Sequence, residues 1–119
     1  MDNITHSLIG IAAAEPFALR RPKNRALLWL TSALANNIPD LDVFHAGIGH
    51  SPENQLNYLL HHRGYTHTIL LAPLQSLIFL CILFFFLGRR QENPWKYLIA
   101  LGVLGPILHI LGDSWNSYG

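Results

Sequence analysis

The stretch HHRGYTH, residues 61–67, places three histidines and an arginine directly before a long apolar run. His62 and His67 stand on either side of Arg63 and Gly64, and the glycine permits a tight turn between them. Imidazole nitrogens are common metal ligands, and an arginine can stabilise negative charge that develops on the oxygens of a substrate. We therefore predict a site at this loop. The alternative is a polar loop at a membrane interface, which explains one histidine better than a pair.

Two other segments carry related groups. In IPDLD, Asp40 and Asp42 follow a proline, which disfavours helical geometry at Ile38, so we expect an extended turn to present both carboxylates. His109 and Asp113 are four residues apart, and on a helix they share one face. The alternative interpretations are a solvated loop for the aspartates and a packing pair for the histidine.

A metal site could be formed by these groups together with His6, near the start of the chain. The predicted metal ligands are His6, Asp40, Asp42, His62, His67, His109 and Asp113. Nitrogen and carboxylate ligands suit zinc, manganese, iron or nickel, and we favour zinc. One catalytic zinc uses about three protein ligands, so this set allows one or two divalent ions. The predicted nucleophile is metal-activated water, with Arg63, His67 and Asp113 as catalytic residues.

The composition favours a membrane protein as the scaffold for these ligands. Of the 119 residues, 50% are apolar and 13% are charged, and the net charge of +1 gives no argument for a nucleic-acid partner. Residues 69–87 contain no charge and are long enough to cross a bilayer as a helix. Residues 97–111 are predicted as a second span. Residues 4–19 and 26–38 are predicted as short spans or half-buried helices, the first interrupted at Glu15-Pro16 and the second ended by Asn36-Asn37.

The basic loops at residues 20–25 and 89–96 should stay in the cytoplasm by the positive-inside rule. The N-terminus then lies outside, and all seven predicted ligands reach the same exoplasmic, or periplasmic, level. We therefore predict an all-α fold, a membrane-embedded bundle of about four helices with a polar metal site at one end. Residues 1–119 would form one domain of a multi-pass protein of the inner membrane.

Four motifs resemble a known family: MDNITHSLIG, the PDLD turn, HRGYTHT and HILGDSWNSYG. They are similar to the YbcI/YdjM-type family of inner-membrane, metal-dependent hydrolases, also described as LexA-regulated or LexA-binding. The resemblance implies a bacterial or archaeal membrane hydrolase, a LexA-type regulatory partner by its name, and a chain shortened after Gly119. The positions that match the family's motifs are His6, Asp40, Asp42, His62, Arg63, Gly64, His67, His109 and Asp113.

The leading hypothesis is a hydrolase that attacks an ester, with a phosphoester of a lipid or lipid-linked substrate favoured. A looser likeness of the helical H-x-x-x-D pattern to zinc-dependent phospholipase C supports phosphoesters. One alternative is a metal-binding or transport protein without enzymatic activity. Another is a regulatory interaction protein whose basic loop at residues 20–25 meets a cytosolic partner.

Overall fold

The computed structural model describes residues 2–44, 68–87 and 94–115. These ranges contain four α-helices and no strand, so the all-α prediction is confirmed for them. The helices are α1 Asn3–Arg20, α2 Arg25–Asn37, α3 Leu71–Leu87 and α4 Trp95–Ser114. Two 3₁₀ segments, Pro22–Asn24 and Ile38–Phe44, follow α1 and α2 respectively.

Helix α1 packs against α2 through a narrow face. The residues buried there recur every four positions and include Gly10, Ala14 and Ala18. At Gly10 the two helices lie so close that an added Cβ would be 2.6 Å from the carbonyl oxygen of Ser32. Because glycine has no Cβ, the backbones can approach to this distance without a clash.

Helix α4 contacts α2 and α3 on different faces. An added Cβ at Gly105 would lie 2.7 Å from the Cβ of Ala35, so α2 and α4 also approach closely. Gly102, one turn earlier, is covered by the side chains of Leu77 and Leu80 from α3. Helix α2 is therefore central, between α1 and α4, and α3 lies on the outer side of α4.

Contacts near the helix ends fix the directions of α1, α2 and α4. At the start of α1, the Ser7 hydroxyl accepts a hydrogen bond from Asn37 Nδ2 at the end of α2, over 2.9 Å. Just after the end of α1, the Arg21 guanidinium lies over the ring of Tyr97 at the start of α4. Helix α1 is thus antiparallel to both α2 and α4. Its first turn and the last turns of α2 and α4 lie at the same end of the bundle.

The predicted interruption of the first helix is wrong. Helix α1 continues through Pro16 to Arg20. Proline removes one backbone hydrogen-bond donor from the helix. The side chain of Glu15, directly before it, is hydrogen-bonded to residues of α2. Glu15 accepts hydrogen bonds from Arg25 Nη2 at 2.6 Å and from Trp29 Nε1 at 2.7 Å. These two bonds tie α1 to α2 at the residue directly before the proline.

The predicted extended turn at the PDLD motif is also wrong. Ile38 has φ −58° and ψ −39°, which is right-handed helical geometry, and the 3₁₀ segment Ile38–Phe44 continues directly from α2. The preference of a residue before proline is a bias, and burial of both Ile38 and Pro39 outweighs it here. Asn37 is the last residue of α2, as the Asn36-Asn37 pair predicts.

One of the predicted membrane spans is a candidate span by its length and composition. Within the described ranges, α4 is the one helix both long and apolar enough to cross a membrane. Leu71–Phe85 in α3 is apolar but shorter. Helix α3 begins where the Thr68 hydroxyl accepts a hydrogen bond from the backbone N–H of Leu71 at 3.1 Å.

Candidate metal centre

Four of the seven predicted ligands meet at the shared end of α1, α2 and α4. His6 Nε2 lies 3.2 Å from Asp113 Oδ1. His109 Nε2 lies 3.3 Å from Asp40 Oδ1 and 3.4 Å from Asp113 Oδ2. The two imidazoles stack with their centroids 3.8 Å apart, and both side chains are fully buried. Residues up to 107 positions apart in the sequence are therefore in direct contact.

The four side chains are positioned by the start of α1, the 3₁₀ segment after α2 and the end of α4. His6 lies in the first turn of α1, where the Asp2 carboxylate caps the helix by accepting from the Thr5 backbone N–H at 2.8 Å. Asp40 lies on the 3₁₀ segment that continues α2. His109 and Asp113 are separated by one turn near the end of α4, so both face the same side.

The tautomer of His109 is fixed by α2. His109 Nδ1 lies 2.7 Å from the backbone carbonyl oxygen of Asn36, and because a carbonyl oxygen can only accept, Nδ1 carries the proton and donates. In the neutral ring Nε2 then holds a lone pair. Ligating histidines typically make this kind of bond from the other ring nitrogen, which sets their orientation.

The lone pair on His109 Nε2 faces negative charge. Its nearest polar neighbours are the carboxylate oxygens of Asp40 and Asp113, which are acceptors when ionised. Acceptors that face one another in a buried place repel unless a positive charge lies between them. A proton on Nε2 or a metal ion bound to it would remove this repulsion, so this group of side chains can hold a cation.

The donor set fits a divalent metal. One ligand atom from each of His6, Asp40 and His109 can be chosen so that all three lie within 4.8 Å of one another. Donors around one tetrahedral zinc are about 3.4 Å apart, so atoms as far apart as 4.8 Å would have to approach by about 1.4 Å on binding. His6 Nδ1 is in addition buried without a hydrogen-bond partner, which leaves a second imidazole nitrogen available. Asp113 lies beside this group and contacts both rings.

Asp40 is ionised at this site. Burial raises the pKa of the Asp40 carboxyl, but the adjacent imidazoles of His109 and His6 favour its ionised form, and the net pKa lies below the ordinary value of 3.8. A carboxylate is the form that binds metal, so Asp40 needs no deprotonation at neutral pH before it can act as a ligand.

Three predicted metal ligands and two predicted catalytic residues, with His67 in both groups, are not placed by the structure. His62, Arg63 and His67 lie outside the described residues. The backbone of Asp42 is in the 3₁₀ segment, but its side chain also lies outside what is described. The assignments of these four residues stay predictions.

Sequence reasoning missed Asn36. We interpreted it as part of a helix end, whereas its carbonyl oxygen holds His109 and its carboxamide is buried with neither polar atom hydrogen-bonded. The available signal was its spacing, because Asn36 precedes Asp40 by one helical turn.

The comparisons with known proteins identify the family. The profile of the family described as "YdjM inner membrane protein" matches residues 1–119, the whole chain. The chain belongs to the YdjM inner membrane protein family. The predicted resemblance to the YdjM-type family is thus confirmed, and so is its description as a family of the inner membrane.

A curated relative carries no functional name. The chain is 27% identical over 124 residues to the Bacillus subtilis (strain 168) protein "Uncharacterized protein YfhP". This alignment covers 100% of the chain and 36% of the relative, so the chain spans about a third of the length of that protein. No solved structure matches the YdjM-family chain described here.

Proposed function

We propose that this protein is a metal-dependent hydrolase of the inner membrane. His6, Asp40 and His109 hold a divalent ion, with zinc favoured, and Asp113 lies beside it. The observation that supports this most strongly is the His109 ring, whose Nδ1 proton is fixed by Asn36 while Nε2 faces two carboxylates. A metal ion at this position would accept the lone pair of His109 Nε2 and offset the negative charge of both carboxylates.

The chain's own groups support hydrolysis in distinct ways. A divalent ion at such a site supplies a Lewis acid and lowers the pKa of a bound water. The Asn36 carbonyl keeps His109 in the tautomer that leaves Nε2 free to ligate. Asp113 would accept a proton from an entering water, because its carboxylate adjoins both of the proposed histidine ligands. Arg63 and His67 keep their predicted roles in stabilising and activating the substrate.

The proposed setting is a multi-pass bundle in the bilayer. Large apolar side chains are exposed on all four described helices, which suits contact with acyl chains better than contact with water. Examples are Leu8 on α1, Leu30 on α2, Ile78 on α3 and Ile99 on α4, each at least half exposed. We assign the cluster to the periplasmic side, because the basic loop at residues 20–25 lies at the opposite end of α1.

The proposed substrate is a phosphoester of a lipid or lipid-linked molecule. The cluster lies in the first turn of α1 and near the last turn of α4, which is the end of the bundle rather than its middle. Lipids present their phosphoester bonds at this depth of a membrane. A divalent ion with a nearby general base suits phosphoester hydrolysis.

The activity is tested with matched aspartate variants. Purified protein in detergent, loaded with zinc or manganese, is assayed on a panel of phosphoesters that includes phospholipids. Asp40→Asn should abolish hydrolysis, whereas Asp2→Asn should retain it, because asparagine also caps helices and Asp2 lies outside the cluster. No hydrolysis by metal-loaded wild type across the panel would reject the enzymatic proposal.

A metal transport role is the second candidate, since polar groups continue below the cluster. Ser32 and Asn36 on α2 and Ser76 on α3 are buried, with side-chain atoms that make no hydrogen bond. Beyond them, among the described residues, Leu28 and Leu101 are fully buried and close the interior. Metal flux into liposomes without ester hydrolysis would favour transport over catalysis. A LexA-type regulatory partner stays a prediction from the family resemblance.

A further inference from the structure

A second polar feature lies at the other end of the bundle. A cavity of about 970 Å³ is formed where the end of α1 and the 3₁₀ turn Pro22–Asn24 meet the start of α4. Four of its lining residues are basic, and none of the described ones is acidic. The basic residues are Arg20, Arg21, Lys23 and Lys96.

The four cations have no carboxylate partner in the part of the chain that the structure describes. The nearest basic residue in sequence, Arg25, behaves differently: it pairs with Glu15 at 2.6 Å, lies over the Trp29 ring at 4.4 Å and does not line the cavity. Unpaired like charges around one cavity repel each other, and an anion that enters would relieve this repulsion. The charge of the lining therefore favours an anion in this cavity.

Aromatic and apolar side chains adjoin these cations. Trp95 and Tyr97 line the cavity, and the Arg21 guanidinium lies 5.7 Å from the centroid of the Tyr97 ring. Two residues that follow or precede the lining closely in sequence, Leu19 and Ile99, are 67% and 53% exposed. Tryptophan and tyrosine beside basic residues are typical of the level of lipid headgroups, with apolar residues on the acyl-chain side.

The cavity is separate from the His/Asp cluster. His6 and Arg20 are at opposite ends of α1, and 14 residues of α-helix correspond to roughly 21 Å. The two features also use opposite ends of α4, since Tyr97 is near its start and Asp113 near its end. A ligand in the cavity would not contact the metal ligands.

We propose that this cavity binds the headgroup of an anionic phospholipid, in the leaflet opposite the metal centre. The basic side chains contact the phosphate, and the exposed Leu19 and Ile99 contact the acyl chains. A free phosphate would contact only the basic side chains and would leave Leu19 and Ile99 exposed. Basic cavities at the ends of membrane helices are a recognised form of headgroup site.

The test compares lipids that differ in charge. The full chain in neutral detergent is titrated with short-chain phosphatidylglycerol, with phosphatidylcholine of the same chain length, and with inorganic phosphate. Retained lipid is measured by native mass spectrometry, and stabilisation by the thermal unfolding midpoint. We expect phosphatidylglycerol to bind at least tenfold more tightly than the other two. Equal binding of phosphatidylcholine would overturn the proposal, and equal binding of inorganic phosphate would overturn its assignment to a lipid.

A charge-matched pair of variants locates the site. The triple variant Arg20→Gln, Lys23→Gln and Lys96→Gln should weaken phosphatidylglycerol binding about a hundredfold, because each basic residue near a membrane surface contributes roughly fivefold. The control Arg25→Gln removes a cation outside the cavity and should leave the preference unchanged. If the triple variant does not fold, the single variant Lys23→Gln, on the exposed 3₁₀ turn, should still lose about fivefold. Loss of the preference in the control, or its retention in the cavity variants, would contradict the proposed location.

Discussion

The polar groups at the two ends of the bundle differ in burial and in their partners. At the end that holds His6 and His109, titratable side chains are buried and in contact with each other. At the end that holds Arg21 and Lys23, the charges are exposed and have no acidic partner among the described residues. Buried groups in mutual contact have fixed geometry and can select an ion, whereas exposed cations attract an anion mainly through their charge. The comparison separates a preorganised site from an electrostatic one.

The largest expected effect concerns the preorganised end. His109→Ala removes the ring that contacts both carboxylates and the Asn36 carbonyl. Zinc affinity, measured by competition with a chromogenic chelator, should fall by roughly a hundredfold or more, since loss of an outer partner alone costs about 10–100-fold. Anionic lipid binding should not change. Equal loss of both properties would show that the two ends are not independent.

A second effect tests how tightly the helices are held near the cluster. Gly105→Ala places a Cβ 2.7 Å from Ala35 Cβ and 2.9 Å from backbone, so α2 and α4 must separate at a cost of about 1–3 kcal/mol. Gly102→Ala is the matched control, because its new Cβ meets only the flexible ends of Leu77 and Leu80. Chemical unfolding in detergent measures the two free energies of unfolding. A larger loss for Gly102→Ala would contradict the proposed close contact of α2 with α4.

A smaller effect is expected where α1 and α2 are tied together away from the cluster. Glu15→Gln weakens the bonds to Arg25 and Trp29, which are partly exposed, so we expect a loss of about 0.5–1 kcal/mol. The loss should shrink at high salt because solvent and ions screen the Arg25 charge. A loss above that of Gly105→Ala would mean that this contact, and not the glycine crossing, holds the bundle.

The smallest effect is a pH-dependent one at the start of α1. Hydrogen bonds from Thr5 lower the pKa of Asp2 below 3.8, so ionised Asp2 stabilises the fold above its unfolded pKa, and this contribution is lost as pH falls through the folded pKa. Asp2→Ala should lower the unfolding midpoint slightly at pH 7. Wild type and variant should converge at pH values below the folded-state pKa of Asp2. A difference that persists there would assign the effect to something other than the charge of the cap.

The helices followed from the sequence more readily than the local geometry did. The apolar runs located α3 and α4, and the direction of successive helices placed His6 and Asp113 at one end. Backbone preference did not predict a helix through Pro16 or at Ile38, because contacts with other elements outweigh it there.

The details of the cluster depend on tertiary structure and so could not be predicted. Asn36 acts through its backbone carbonyl, which every residue possesses, so its identity carried no signal for the contact with His109. The glycine crossings at Gly10 and Gly105 were equally hidden, since the need for glycine appears only when the partner backbone is in place. Residue types thus predicted which groups gather, and helix packing determines how they are oriented.

The central claim, that the His/Asp cluster is built around a metal cation, is tested most directly by metal analysis of purified wild type. Protein dialysed against trace zinc should retain stoichiometric zinc by elemental analysis, with X-ray absorption showing both imidazole and carboxylate ligands. The double variant His6→Ala and His109→Ala should retain none. Metal-free wild type, or a double variant that retains as much zinc as wild type, would contradict the account.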